Sequence, residues 1–195
     1  MAMITTLSPP MESDELLLAR FRGGERDAVD ELFRRHRGTA YRLAFRLLGQ
    51  EPDALQAVQN GFIKALALMH EALVGQFSFK AWLLRVVSDA ALELGRKRAT
   101  SSLDIPAADE HSNGQQQALS DHAAVASERA DLHRVVEAAL AALPEAQRRI
   151  FVLHTEGKLT YREVAEVMGI SIDNVMNRLS RARQEVMARL ASNLV

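Results

Sequence analysis

Apolar residues recur every three or four positions along most of the chain, and strict alternation is nowhere sustained, so the pattern predicts helices and no sheet. Ser13 is placed to cap a first helix carrying Leu16, Leu17 and Leu18, which Gly23 and Gly24 break. Asp27 can cap a second, in which Leu32, Phe33, Ala40, Tyr41, Ala44, Phe45 and Leu48 keep helical spacing up to Gly49. A third runs from Asp53 to Met69 behind Pro52, a residue that a first turn tolerates. Its predicted inner face is Leu55, Val58, Phe62, Ala65, Leu66 and Met69. After a break at 75–78, Phe79 to Arg98 predicts a fourth helix with Trp82, Leu83, Val86, Val87, Ala90 and Leu94 inward. It closes on Arg96, Lys97 and Arg98, cations that suit a helix C-terminus.

The periodicity then lapses. Residues 99–129 are rich in Ser, Asp, Ala and Gln and hold few large apolar side chains, too few to offset the entropy of ordering them. They read as a flexible linker, and residues 1–12, with Pro9 and Pro10, as a disordered tail. Helical spacing returns with Leu132, Val135, Val136, Ala139, Leu140 and Leu143, then after Pro144 with Ile150, Phe151 and Leu153. The expectation is an all-α chain of two small helical domains, 13–98 and 130–195, on a tether.

The C-terminal stretch carries the sharpest local signal. Thr160 with Glu163 three residues on fits a capping box, Val164, Val167 and Met168 face inward, and Gly169 supplies a turn. Ser171 can cap the next helix, where Val175, Leu179, Ala182 and Val186 form an apolar stripe. The opposite side carries Asn174, Asn177, Arg178 and Arg181. A short helix, a glycine turn and a second helix with a polar, basic outer face make a helix-turn-helix, whose second helix fits a major groove. An Asn amide can then pair with an adenine edge, and an Arg can read guanine or neutralise phosphate. The alternative is an ordinary helical hairpin with a solvated face.

Charge at first argues against nucleic acid, since 24 Lys and Arg face 25 Asp and Glu. The average hides a split. Residues 1–98 hold 14 basic and 12 acidic groups, 99–128 hold five acids and no base, and 129–195 hold 10 basic and 8 acidic. Two mildly basic blocks flank an acidic spacer, so whole-chain charge says little about either block's partners. The chain has no cysteine, which excludes disulfides, thiolate zinc sites and a thiol nucleophile, and suits a reducing cytoplasm. Nothing in Met1–Met11 has signal-peptide character, and no apolar run is long enough for membrane insertion. The six histidines show no ligand spacing and are expected at the surface or in packing. Without a phosphate loop, ligand cluster or nucleophile motif, no enzyme activity, catalytic residue, metal or cofactor is expected.

Specific residues then carry a resemblance. Leu143-Pro144-Glu145 with Gln147-Arg148, Leu159 through Ala165, Gly169-Ile170-Ser171 and Arg178 through Arg183 resemble the fourth conserved region of the extracytoplasmic-function sigma factors of bacteria. Phe62, Lys64-Ala65, Phe79 through Leu83 and the Arg96-Lys97-Arg98 end are similar, more loosely, to their second region. The resemblance covers roughly residues 14–98 and 130–190 and implies a non-enzymatic specificity subunit of bacterial RNA polymerase core. Promoter DNA and an anti-sigma factor would be further partners, in the cytoplasm.

On that resemblance, Asp53, Gln56, Gln59, Asn60 and Ile63 would contact the polymerase. The opened −10 promoter element would meet His70, Gln76, Phe77, Lys80, Trp82, Arg85, Arg96 and Arg98. The −35 duplex would meet Thr160, Tyr161, Arg162, Ser171, Asp173, Asn174, Asn177, Arg178 and Arg181. Trp82 keeps a second reading, as a core side chain on an apolar stripe.

Four positions, Gln56, Asn60, Met176 and Asp89, depart from the family pattern. The docking helix usually bears several carboxylates, ending in an Asp and a Gln-Glu pair, whereas here Gln56 and Asn60 are neutral and only Asp53 is acidic upstream. Charge-assisted bonds are about twice as strong as neutral ones, so docking should weaken. No Ser, Thr or Tyr lies in 53–69, so phosphorylation there cannot restore the charge. Met176 stands where Lys is common, and Asp89 where Asn is common. Beside promoter recognition, two readings therefore stay open: a sigma-like module that sequesters an anti-sigma factor, and a free-standing helix-turn-helix repressor.

Overall fold

In the computed structural model, which describes residues 12–72, 78–101 and 134–193, every regular element is a helix. They are α1 (Asp14–Arg22), α2 (Asp27–Leu48), α3 (Glu51–Ala72), α4 (Phe79–Ser101), α5 (134–141), α6 (Glu145–Thr155), α7 (Tyr161–Met168) and α8 (Ile172–Asn193). The expected tail, except Glu12, and most of the expected linker lie outside the described residues, as do Gln76 and Phe77. Glu12 ion-pairs with Arg20, and α4 runs through Ser101, into the segment read as linker.

Local chemistry sets the helix ends. The Ser13 hydroxyl accepts from the Leu16 amide at 3.3 Å and starts α1. Gly49 ends α2 with φ of 74°, a left-handed conformation that costs glycine little, and its N–H reaches the Phe45 carbonyl at 2.7 Å. The start of α2 differs from expectation: Arg26 holds the cap position without a side-chain bond, and Asp27 is already helical, its charge favouring the N-terminal dipole.

The N-terminal body packs α2, α3 and α4 around Leu32, Leu43, Met69, Phe79, Leu83 and Val87, with α1 across them through Leu17. Phe33 stacks on Phe62, ring centroids 4.6 Å apart. His36 is buried here, its Nε2 2.6 Å from Asp14 Oδ2 and its ring tilted against Phe79, so it serves packing, as expected. On α3, Val58, Ala65 and Met69 are buried and Phe62 packs on the core as expected, but Leu55 and Leu66 are 47% and 48% exposed, and Ala54, Ala57 and Gly61 face inward in their place. The cause is close approach: a Cβ on Gly61 would lie 2.8 Å from Val87 Cγ2, so only small residues fit between α3 and α4. Leu16 is likewise turned to solvent.

The C-terminal body packs α6, α7 and α8 around Ile150, Leu153, Val164, Val175 and Leu179, while Leu140 and Leu143 join Ala182 and Val186 in a smaller cluster. The two bodies also touch, which helical periodicity did not predict. Helix α2 lies against α6 and α4 against α7, and one continuous apolar cluster runs through both. Helix α4 is therefore covered on more than one side, with Leu83, Leu84, Val87, Ala91 and Ser88 all buried.

Candidate nucleic-acid interface

The helix-turn-helix forms as its local chemistry dictates. The Glu163 amide donates to Thr160 Oγ1 at 3.2 Å while the Thr160 amide donates to Glu163 Oε2 at 2.8 Å, closing the capping box of α7. Burial would raise the Glu163 pKa. The Thr160 amide, the Ser78 and Thr160 hydroxyls and the nearby Lys80 charge outweigh it and hold the carboxyl below its ordinary value. Gly169 takes φ of 64°, and the Ile170 amide reaches back to the Ala165 carbonyl at 3.0 Å, a glycine turn that satisfies the end of α7. Ser171 Oγ then accepts from the Asn174 amide at 3.3 Å, starting α8.

The stripe Val175, Leu179, Ala182 and Val186 is buried, which fixes the rotation of α8 about its axis. That rotation leaves Ser171, Asp173, Asn174, Asn177 and Arg181 exposed and Arg178 half-buried. Thr160 and Arg162 are exposed beside them, Arg162 pairing with Glu166 at 3.2 Å. Tyr161 is half-buried with its ring against His154. The nine −35 candidates thus share the α7 N-terminus and the outer side of α8. Met176 is half-exposed among them, an apolar group beside the polar face.

The polymerase candidates share one face less completely. Gln56, Gln59, Asn60 and Ile63 are exposed on α3, with Leu55 and Leu66 adding apolar area. Asp53 is set apart, ion-paired with Arg98 of α4 and largely buried. Gln56, Asn60 and Ile63 line a groove with Lys64, Glu93 and Lys97. Glu93 accepts from Lys64 Nζ at 2.7 Å and Lys97 Nζ at 2.8 Å, which lowers its pKa to about 2.

The −10 candidates are spread along α4. Lys80 is half-exposed near Glu163, and Arg85 is exposed. Trp82 is 8% exposed with its ring on Phe79, which is the core reading. Arg96 faces Glu145 at 3.7 Å and Arg98 holds Asp53, about 24 Å and about 27 Å along the helix from Lys80 at about 1.5 Å per residue. The His70, Gln76 and Phe77 side chains lie outside the described ones. Sequence reasoning missed the contacts between bodies: Arg149 of α6 donates to Ser88 Oγ at 2.8 Å and to Asp89 Oδ1 at 2.5 Å. The one signal was Asp89 itself, a carboxylate where the family commonly has Asn.

Among the described residues no group of three or more His, Asp or Glu side chains is placed to hold a metal, and no helix is long and apolar enough to cross a membrane.

Comparison with known proteins is consistent along the chain. Residues 32–100 match the family model "Sigma-70 region 2", and residues 133–186 match "Sigma-70, region 4". The ECF RNA polymerase sigma factor SigE of Mycolicibacterium smegmatis is 29% identical over 84% of this chain, a match spanning 62% of that protein's length. The ECF RNA polymerase sigma-E factor of Escherichia coli K12 is 29% identical over 89% of this chain and 92% of its own. The fold is similar to that of CnrH, solved in complex with the cytosolic domain of CnrY: the TM-score is 0.70 at 24% identity, covering 93% of this chain and 99% of that one. With region 2 spread over α2–α4, region 4 over α5–α8, and a helix-turn-helix presenting its polar face outward, this chain belongs to the extracytoplasmic-function sigma factors.

Proposed function

We propose that this chain carries RNA polymerase core to specific promoters in the bacterial cytoplasm, as a binding subunit with no catalytic chemistry of its own. The observation that carries the reading is the outer face of α8. Asn174, Asn177 and Arg181 stand exposed over a fully buried stripe, in the arrangement a major groove accepts. Among the described residues neither Arg178 nor Arg181 is engaged in an ion pair, so both charges are available to phosphate or guanine. Helix α8 with the N-terminus of α7 reads the −35 duplex. The start of α4, with Lys80 and Arg85, meets the opened −10 strand, and the exposed face of α3 docks on the polymerase. The domains are 13–98 and 130–195, joined by the linker.

Run-off transcription with reconstituted core tests this: core plus the protein initiates from a defined promoter, and core alone does not. Absence of a transcript from every promoter in a genomic library would overturn it.

A second reading is favoured by one feature, the neutral Gln56, Gln59 and Asn60 on the exposed face of α3, with Asp53 already engaged by Arg98. On that reading the chain sequesters an anti-sigma factor and docks poorly on polymerase. Tight binding to an anti-sigma factor with no transcript would select it.

A further inference from the structure

One flank of α8 is apolar and open to solvent: Ile172 and Met176 are 45% and 50% exposed. They stand one turn apart, about 6 Å along the helix axis and within about 40° of each other around it. The buried stripe Val175, Leu179, Ala182 and Val186 fixes where that flank points, beside the outward strip of Asp173 and Asn177. Lone exposed apolar side chains are ordinary at a protein surface. Two in register on the first two turns of a helix-turn-helix second helix are placed where base edges are contacted.

The charges around them narrow what they can touch. No Lys or Arg occurs from Gly169 through Asn177; the first cation on α8 is Arg178, and Arg181 and Arg183 follow. The entering end of the helix therefore has no side chain to fork onto O6 and N7 of guanine, the commonest specific contact, and no cation to neutralise phosphate. Met176 itself stands where Lys is common in the family. What remains at that end is hydrogen bonding by Asp173, Asn174 and Asn177 and apolar contact by Ile172 and Met176. Of the groups that the four bases present in the major groove, one is apolar, the C5-methyl of thymine. An apolar side chain pressed on any other edge would strip water from a donor or acceptor and offer no bond in return, which costs affinity.

We infer that Ile172 and Met176 read thymine: their side chains cover the C5-methyl groups of one or two neighbouring thymines in the −35 duplex and set specificity there. Their rise of about 6 Å spans about two base-pair steps of about 3.4 Å. Ile172, branched at Cβ, is a stiff surface, and Met176, an unbranched thioether, shapes itself to the methyl. The inference rests on the promoter reading of α8 given above and adds the base selected and the side chains that select it.

Core polymerase carrying the full chain enriches duplexes from a pool randomised across the −35 segment. Each thymine of the enriched sequence is then replaced by deoxyuridine, which removes the methyl and keeps every hydrogen-bonding group. Competition binding by the same holoenzyme is the readout. At one or two adjacent positions the exchange is expected to weaken binding about three- to fivefold, the value of one buried methyl. Met176→Ala and Ile172→Ala bind the thymine duplex more weakly, and each loses the difference between thymine and deoxyuridine at one such position, whereas a folding defect would weaken both duplexes alike. Met176→Lys also loses the difference, and it steepens the salt dependence by about one unit. A parent indifferent to every exchange overturns the inference while the promoter reading stands, as does a thymine preference that survives intact in both alanine variants. Failure to enrich any sequence over core alone rejects the promoter reading, and the inference with it.

Discussion

Gly61 of α3 sits so close to Val87 of α4 that a Cβ on it would lie 2.8 Å from Val87 Cγ2 and 2.9 Å from Val87 Cα. The second distance is to backbone, so the two helices cannot absorb an added methyl by a rotamer change. Alanine would ordinarily favour a helix over glycine by about 1 kcal/mol. Overpacking of a rigid contact costs about 1–3 kcal/mol, and here it outweighs the propensity gain. Gly61→Ala is therefore expected to lower the urea midpoint of the full chain with m unchanged, and an unchanged or higher midpoint would show that α3 and α4 separate freely.

Acid should weaken the α3–α4 contact through Glu93. Its pKa in the folded chain, about 2, lies below the ordinary 4.5 because Lys64 and Lys97 both donate to it. A depressed carboxylate adds stability above its unfolded pKa, and that stability is lost as pH falls through the folded value. The stability difference between the parent and Glu93→Gln is thus full above pH 5 and shrinks from about pH 4.5 toward 2. Denaturant titrations across that range check it, and a difference independent of pH would remove the charge from the explanation.

Arg178→Ala and Arg181→Ala test phosphate contact at the α8 face. A lost phosphate contact lowers affinity for all promoter sequences and flattens the salt slope by about one unit. Fluorescence anisotropy on −35 duplexes across a salt series is the measurement. Equal slopes in both variants would exclude that role, and a loss confined to one base position would assign base reading instead.

Restoring carboxylates to the exposed α3 face should strengthen docking. Gln56 and Asn60 are exposed and neutral, so Gln56→Asp with Asn60→Glu adds charge at little cost to folding. Charge-assisted bonds being about twice as strong as neutral ones, the double variant is expected to retain more core polymerase in a pull-down. Weaker retention would mean that the neutral residues match an altered partner surface.

Local chemistry was legible in the chain from the start, and these cases share a reason. The Ser13 cap, the Gly49 stop, the Thr160–Glu163 box, the Gly169 turn and the buried stripe from Val175 to Val186 depend on residues within about four positions of one another. Spacing alone encodes such interactions. The polar side of α8 followed, because burying one stripe of a helix fixes where the opposite side points.

Tertiary packing decided the rest. Small residues at Ala54, Ala57 and Gly61 won the inner face of α3 over Leu55 and Leu66, because closeness to α4 counted for more than side-chain hydrophobicity. Arg149 meets Asp89 across 60 positions and Arg46 meets Glu137 across 91. No period in a one-dimensional pattern records such a pairing, since it exists only after two bodies have folded and brought their charged surfaces together.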